Sequence, residues 1–203
     1  MGKVTFNMTM SLDGFVAGPN DNPENGLGDG GEGLFKWYFS GDTEVKLSEG
    51  TPVLKISKKS AKLLKDGTKG YGAGVWGRKT FDIAHAWGGN PPGSPAFIVT
   101  RHVPQEWVKA GSPFIFVTDG VEIAIQQAKQ AAEDKDVVIC TASILQQALK
   151  AGLVDEINVD VAPILIGGGV SLFDHLGMGP IELECTRVVD APNVTHLRYR
   201  VVK

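Results

Sequence analysis

The sequence predicts an α/β fold whose central sheet is mostly parallel and ends in an antiparallel C-terminal hairpin. Through the middle of the chain, short apolar runs alternate with helical or turn-like segments, the pattern of parallel strands with crossovers. After Gly152 the style changes to strict alternation and two runs joined by Asp190-Ala191-Pro192-Asn193, a turn-prone sequence. The chain has 203 residues, 42% hydrophobic and 21% charged, which suits one domain spanning 1–203 with its own core.

Residues 3–10 place Val4, Phe6, Met8 and Met10 on one face and Lys3, Thr5, Asn7 and Thr9 on the other, which is a strand. The polar, glycine-rich stretch 11–33 exceeds what a connector needs and is expected to be a loop over a site. With few apolar side chains after Val16, it should be mobile until a ligand orders it. The aromatic stretch 34–39 reads as a short helix. Val53, Ile56, Ser60, Leu63 and Leu64 have helical spacing, with an expected end at Asp66-Gly67. Strands are expected at 74–76, 96–99, 114–117 and 137–140. A helix over 120–133 carries Val121, Ala124, Ile125, Ala128 and Ala132 on one stripe, and another over 142–150 closes on Gly152. Ile157, Val159 and Val161 alternate with polar residues and are expected to leave a sheet region that a second copy would cover, and the runs 181–189 and 195–202 form the final hairpin.

The net charge is −3 and no run of five like charges occurs, so no footprint for nucleic acid or an anionic membrane exists. No stretch approaches the ~18 apolar residues of a membrane span. The opening MGKVTFNMTM has no signal-peptide core, and Phe6 stands where myristoylation needs Ser or Thr. A cytoplasmic protein acting on small molecules is expected. Cys140 and Cys185 sit at the edges of β-rich runs and read as buried free thiols. His85, His102, His175 and His196 form no HxH or HxxxH pair, so no metal is expected.

Three matches to GxGxxG, starting at Gly26, Gly28 and Gly72, lack the strand-then-helix context of a dinucleotide fingerprint and read as loop glycines. Gly74-Val75-Trp76-Gly77-Arg78-Lys79-Thr80-Phe81 differs. There a strand ends at a glycine, and two cations and a hydroxyl open a helix, where backbone N–H groups and a guanidinium suit a phosphate. An ordinary turn with solvated Arg78 and Lys79 is the alternative. A second strand ends in Thr100-Arg101, again a hydroxyl and a guanidinium at a carboxyl edge, where open α/β sheets bind ligands. Asp13 in Ser11-Leu12-Asp13-Gly14 could orient substrate or relay a proton, or could bond backbone in a turn. Phe35, Trp37 and Tyr38 could stack on a flat ring or belong to the core. Gly167-Gly168-Gly169 could approach a ligand or form a plain turn.

In this order the motifs resemble the dihydrofolate-reductase-like superfamily, in particular the reductase domain of the bifunctional riboflavin-biosynthesis deaminase-reductase. The likeness is carried by Ser11-Leu12-Asp13-Gly14-Phe15-Val16-Ala17-Gly18, Gly77-Arg78-Lys79-Thr80-Phe81 with Trp87, Val99-Thr100-Arg101, and Gly152-Leu153-Val154-Asp155-Glu156 leading into Ala162-Pro163-Ile164-Leu165-Ile166-Gly167-Gly168-Gly169 and Leu172-Phe173. The resemblance implies a three-layer sandwich, a homodimer and an NADPH-dependent reductase. Its substrate would be a small heterocyclic or aminosugar-pyrimidine-like molecule, as for 5-amino-6-(5-phosphoribosylamino)uracil reductase. It implies cofactor contacts at Val16, Ala17, Gly77, Arg78, Lys79, Thr80, Thr100, Arg101, Thr141, Ala142, Ser143 and Ile144, with Asp13 as the catalytic candidate. The arginine pair also suits a 2′-phosphate, which agrees with NADPH over NADH.

The chain departs from the family pattern in two places. Ile139-Cys140-Thr141-Ala142-Ser143-Ile144 has no Gly-Gly pair at the helix start, although Thr141 or Ser143 can cap that helix. Residues 34–39 lack the carboxylate that folate reductases turn toward the pterin. The zinc-deaminase signatures HxE and PCxxC are also missing. The competing reading is a non-catalytic nucleotide or small-molecule binding protein on the same fold, which the missing glycines favour slightly.

Overall fold

The computed structural model describes residues 2–47, 49, 51–177 and 179–203. Its first strand, β1 (Val4–Ser11), is a central strand, flanked by β8 (Asp136–Ile139) and β9 (Glu156–Ala162), both parallel to it. From β8 the sheet continues through β5 (Tyr71–Gly77), β6 (Ala96–Val99) and β7 (Phe114–Val117), all parallel. On the other side, β12 (Val194–Val201) runs antiparallel to β9, and β11 (Leu183–Ala191) forms the edge. The eight-stranded order is therefore β11-β12-β9-β1-β8-β5-β6-β7, a mostly parallel sheet ending in the C-terminal hairpin. Two small sheets, β2 (Phe15–Ala17) with β10 (Val170–Ser171) and β3 (Thr43–Val45) with β4 (Leu54–Ile56), complete the strands.

Alternation along each strand builds a layer on either side. Val4 and Phe6 of β1, Ala73 and Val75 of β5 and Val137 and Ile139 of β8 pack against α3 (Val121–Ala132) and α4 (Ala142–Lys150). On the opposite face, Trp76, Ile98 and Val138 meet Phe81 of α2 (Arg78–Ile83). Farther along that face, Trp37 of the 3-10 helix Gly31–Phe39 packs with Leu54, Ile56 and Ala61 of α1 (Lys58–Thr68). The central sheet is thus covered on both faces, the three-layer arrangement that the resemblance implies.

Several local expectations need correction. Val53 to Ile56 is not helical: Leu54–Ile56 is a strand paired with Thr43–Val45, and the helix starts only after Ser57, whose hydroxyl accepts the Ser60 N–H at 3.1 Å. Glycine at 67 does not stop α1, which runs on to Thr68. On the polar face of β1, Thr5 and Thr9 are buried and Asn7 half-buried. Ile157 and Val159 lie in an interior strand and are buried, so the need to cover them gives no reason for a dimer. Cys140 is half-buried as a free thiol, but Cys185 is exposed because β11 is the sheet edge. None of the helices in the described residues is long and apolar enough to cross a membrane.

Candidate functional site

The carboxyl ends of β5, β6 and β8 lie side by side and carry Gly77, Arg78, Lys79, Thr80, Thr100, Arg101, Thr141, Ala142, Ser143 and Ile144, whereas Val16 and Ala17 lie apart in β2. Gly77 ends β5; its backbone N–H donates to Thr141 Oγ1 at 3.0 Å, and that hydroxyl lies 3.2 Å from Thr80 Oγ1 as donor. A Cβ at position 77 would sit 3.1 Å from Thr141 Cγ2, so glycine lets the two strand ends approach. Thr141 occupies the N-cap position of α4, yet makes no side-chain cap bond because its hydroxyl serves the β5 end. The expected cap is therefore corrected, and the first-turn N–H groups of Ala142, Ser143 and Ile144 are left to an incoming anion. The side chains of Ala142 and Ile144 are buried in the core, so only their backbone could touch a ligand.

The expected cations differ in their availability. Arg78 Nε donates to Asp82 Oδ1 at 2.8 Å, and its Nη1 donates to the His102 carbonyl at 2.5 Å across the neighbouring strand end. Lys79 pairs with Asp21 at 2.7 Å, which ties the 11–33 segment to α2. The Thr100 hydroxyl is engaged in its own turn, donating to the His102 carbonyl at 2.9 Å and accepting its N–H at 3.2 Å. Arg101, exposed beside it, makes no hydrogen bond or ion pair among the described residues. The Arg101 guanidinium and the uncapped turn of α4 are donors of the kind that phosphate groups accept from.

Asp13 lies at the end of β1, not in the cation cluster. Its carboxylate accepts the Ser11 hydroxyl at 2.5 Å, the Ile166 N–H at 3.1 Å and the Gly167 N–H at 2.7 Å. The Ser11 bond, joined by the two backbone donors, holds its carboxyl below the usual carboxylate range despite partial desolvation. Asp13 is thus a pin between the turn after β1 and the glycine loop that follows β9. That loop closes on the chain itself: at Gly169, with φ 120°, a Cβ would lie 2.2 Å from the Ala17 carbonyl oxygen. Val16 and Ala17 belong to β2, which pairs with β10; Ala17 is buried and Val16 packs on the core below α4.

The 11–33 segment is more ordered internally than its composition suggests. Gly18 N–H donates to the Leu27 carbonyl at 2.8 Å, and Asp29 accepts the Asn20 and Asn25 side-chain amides at 2.7 and 2.9 Å. Among the aromatics, Trp37 is core, while Tyr38 is half-buried. Sequence reading passed over the half-buried polar row Asn7, Asn158 and Arg198 on the face beneath Tyr38. No local signal marks it, because each member alternates with apolar neighbours as on a solvated face.

A chain with this strand order and this crowded carboxyl edge is comparable with known folds. A protein from Shewanella sp. PV-4 named for riboflavin biosynthesis superposes with a TM-score of 0.69 at 22% identity, covering 100% of both chains. The diaminohydroxyphosphoribosylaminopyrimidine deaminase/5-amino-6-(5-phosphoribosylamino)uracil reductase of Thermotoga maritima gives 0.58 at 13% identity, with 99% of this chain matching 57% of that one. Dihydrofolate reductase from Enterococcus faecalis, complexed with NADP(H), gives 0.55 at 13% identity over 100% of this chain and 98% of that chain. These likenesses establish a dihydrofolate-reductase-like fold. Comparison with curated protein sequences gives no match. The RibD C-terminal domain model matches residues 2–197, nearly the whole sequence, and the chain therefore belongs to the RibD C-terminal domain family.

Proposed function

We propose that the protein is an NADPH-dependent reductase acting on a small polar heterocycle, similar to 5-amino-6-(5-phosphoribosylamino)uracil reductase. The observation that carries this reading is the open donor set at the ends of β5, β6 and β8, within a chain of a family named for a riboflavin-pathway enzyme. The uncapped N–H groups of Ala142, Ser143 and Ile144 would hold the diphosphate, with Gly77 and Thr80 at its side. Arg101 would take the 2′-phosphate, while Arg78 and Thr100 shape the wall through their bonds to His102. Lys79 joins only if its ion pair with Asp21 opens.

When bound, NADPH supplies the hydride. The protein's own contribution is orientation. Asp13 acts as a positioning residue, since an ionised carboxylate already bonded to three donors has no proton to give near neutral pH. It does so by pinning the Gly167 loop, which leads into β10 and its pairing with β2, to the turn after β1. The solution assembly we propose is a homodimer. The exposed edge strand β11, with Val188 59% exposed, is the surface that a second copy would cover; a monomer mass by light scattering contradicts that part.

The test is consumption of reduced cofactor in a screen of amino- and oxo-pyrimidine ribosyl substrates. Turnover with NADPH supports the reading. NADPH binding without turnover on every such substrate supports the non-catalytic alternative instead.

A further inference from the structure

On the sheet face opposite α3 and α4, strands β1, β9 and β12 bring polar side chains into two rows. Register sets Thr9 beside Asp160 and Asp160 beside His196. Two residues along, it sets Asn7 beside Asn158 and Asn158 beside Arg198.

The first row is sealed. Thr9, Asp160 and His196 are buried under Trp37, whose indole N–H donates to Thr9 Oγ1 at 3.3 Å. The hydrogen bonds form one directed chain. Ser57 donates to Ser60 Oγ at 3.0 Å, Ser60 Oγ lies 2.9 Å from His196 Nε2, and His196 Nδ1 lies 2.8 Å from Asp160 Oδ1. Arg198 Nη1 donates to the same carboxylate oxygen at 2.9 Å. A serine hydrolase uses the same three residue types, but Ser60 is 1% exposed and sits on α1, so no substrate reaches its hydroxyl. The chain's effect falls on its last member. Burial opposes ionisation of Asp160, but the His196 bond and the Arg198 charge overcome it, so Arg198 is anchored to a fixed anion.

The second row is half-buried and open. Arg198 spends Nη1 on Asp160 and on the carbonyls of Val159 and Leu197, so its Nε/Nη2 edge has no hydrogen-bond partner among the described residues. That edge is the two-donor fork that matches paired or single carbonyl oxygens. Asn158 beside it also has no side-chain partner among the described residues. Asn7 donates through Nδ2 to the Tyr71 hydroxyl, which leaves its amide oxygen open. Tyr38 borders the row, within electrostatic reach of Asp160 and Cys140, and Cys140 meets the Asn7 backbone on the β8 side.

We propose that Arg198 is a substrate-recognition residue whose free Nε/Nη2 edge takes the carbonyl oxygens of a flat, oxo-substituted ring lying across Asn7 and Asn158, and that the Ser57-Ser60-His196-Asp160 chain positions it. The proposal rests on the reductase reading for its choice of a ring substrate. A diamino-substituted ring turns donors, and on protonation a positive charge, toward the donor edge of Arg198, so the same arrangement disfavours it.

Calorimetric titration of the full chain with 6-(ribitylamino)uracil and with 2,4-diaminopyrimidine tests this, each with and without saturating NADPH. The uracil is expected to bind at least tenfold more tightly than the diamine. Arg198→Ala should weaken the uracil about tenfold or more and leave NADPH affinity unchanged. Arg198→Lys, which keeps the ion pair with Asp160 but loses the fork, should give the same loss if Arg198→Ala does not fold. Ser60→Ala should weaken the uracil less than Arg198→Ala, and Ser60→Thr should restore it. Unchanged uracil affinity in folded Arg198→Lys, or a preference for the diamine, overturns the proposal. Failure of NADPH to bind the native protein while the uracil still depends on Arg198 overturns the reductase reading and leaves this assignment standing.

Discussion

Thr141 Oγ1 accepts the backbone N–H of Gly77 at 3.0 Å, so the residue at the N-terminus of α4 locks the end of the adjacent strand β5. The proposed diphosphate site is therefore framed by a side chain as well as by backbone.

Thr141→Val removes this bond and the one to Thr80 at little change in volume. It should lower stability by about 1 kcal/mol per lost bond and weaken NADPH binding, whereas Thr141→Ser should preserve both. Urea midpoints and NADPH titration of the two variants check this. Equal NADPH affinity in the valine variant contradicts the framing role.

Asp13 should stabilise the fold in a pH-dependent way. Its carboxyl is held below the ordinary value, so the protonated form is disfavoured in the native state. The contribution is fully present above the unfolded value of about 3.9 and disappears as pH falls through the lower folded value. The difference in urea midpoint between the native protein and Asp13→Asn should therefore be flat from neutral pH down to that range and shrink below it. A difference that grows on acidification contradicts the pin.

The two cysteines should react very differently. Burial pushes the Cys140 thiol up to about 12, despite a bond from the Asn7 backbone, whereas Cys185 is exposed on the edge strand. A disulfide reagent at mildly alkaline pH should modify one thiol rapidly, and Cys185→Ser should remove that phase. Two fast equivalents would show that the trough beside Asn7 opens far more than its packing indicates.

The legible parts of this fold were those where local pattern and tertiary role agree. The helix over 142–150 and the stripe Val121, Ala124, Ile125, Ala128 and Ala132 show it, because one apolar face meets one sheet face. Val53 to Ile56 misled because its apolar spacing fits a helix for one turn as well as a two-sided strand, and pairing with Thr43–Val45 decided between them. Thr141 misled because a hydroxyl at a helix start has two possible partners, and only the nearness of Gly77 selects one. The row of Asn7, Asn158 and Arg198 was illegible. Its members come from three strands, and in each the polar residue alternates in the manner of a solvated face. Asp13 gave its turn locally, but its partners Ile166 and Gly167 stand far away in sequence.

The central claim is that the ends of β5, β6 and β8 hold NADPH through its phosphates. The direct measurement is calorimetric titration of the native protein, Arg101→Ala and Arg78→Ala with NADPH and NADH. Charge-assisted contacts of about 1.5–3 kcal/mol predict that NADPH binds roughly tenfold or more tightly than NADH. Arg101→Ala should abolish that preference, because Arg101 makes no hydrogen bond or ion pair among the described residues, while Arg78→Ala, tied to Asp82 and His102, should weaken both cofactors. Equal affinity of the native protein for NADPH and NADH, or a preference that survives Arg101→Ala, would contradict the account.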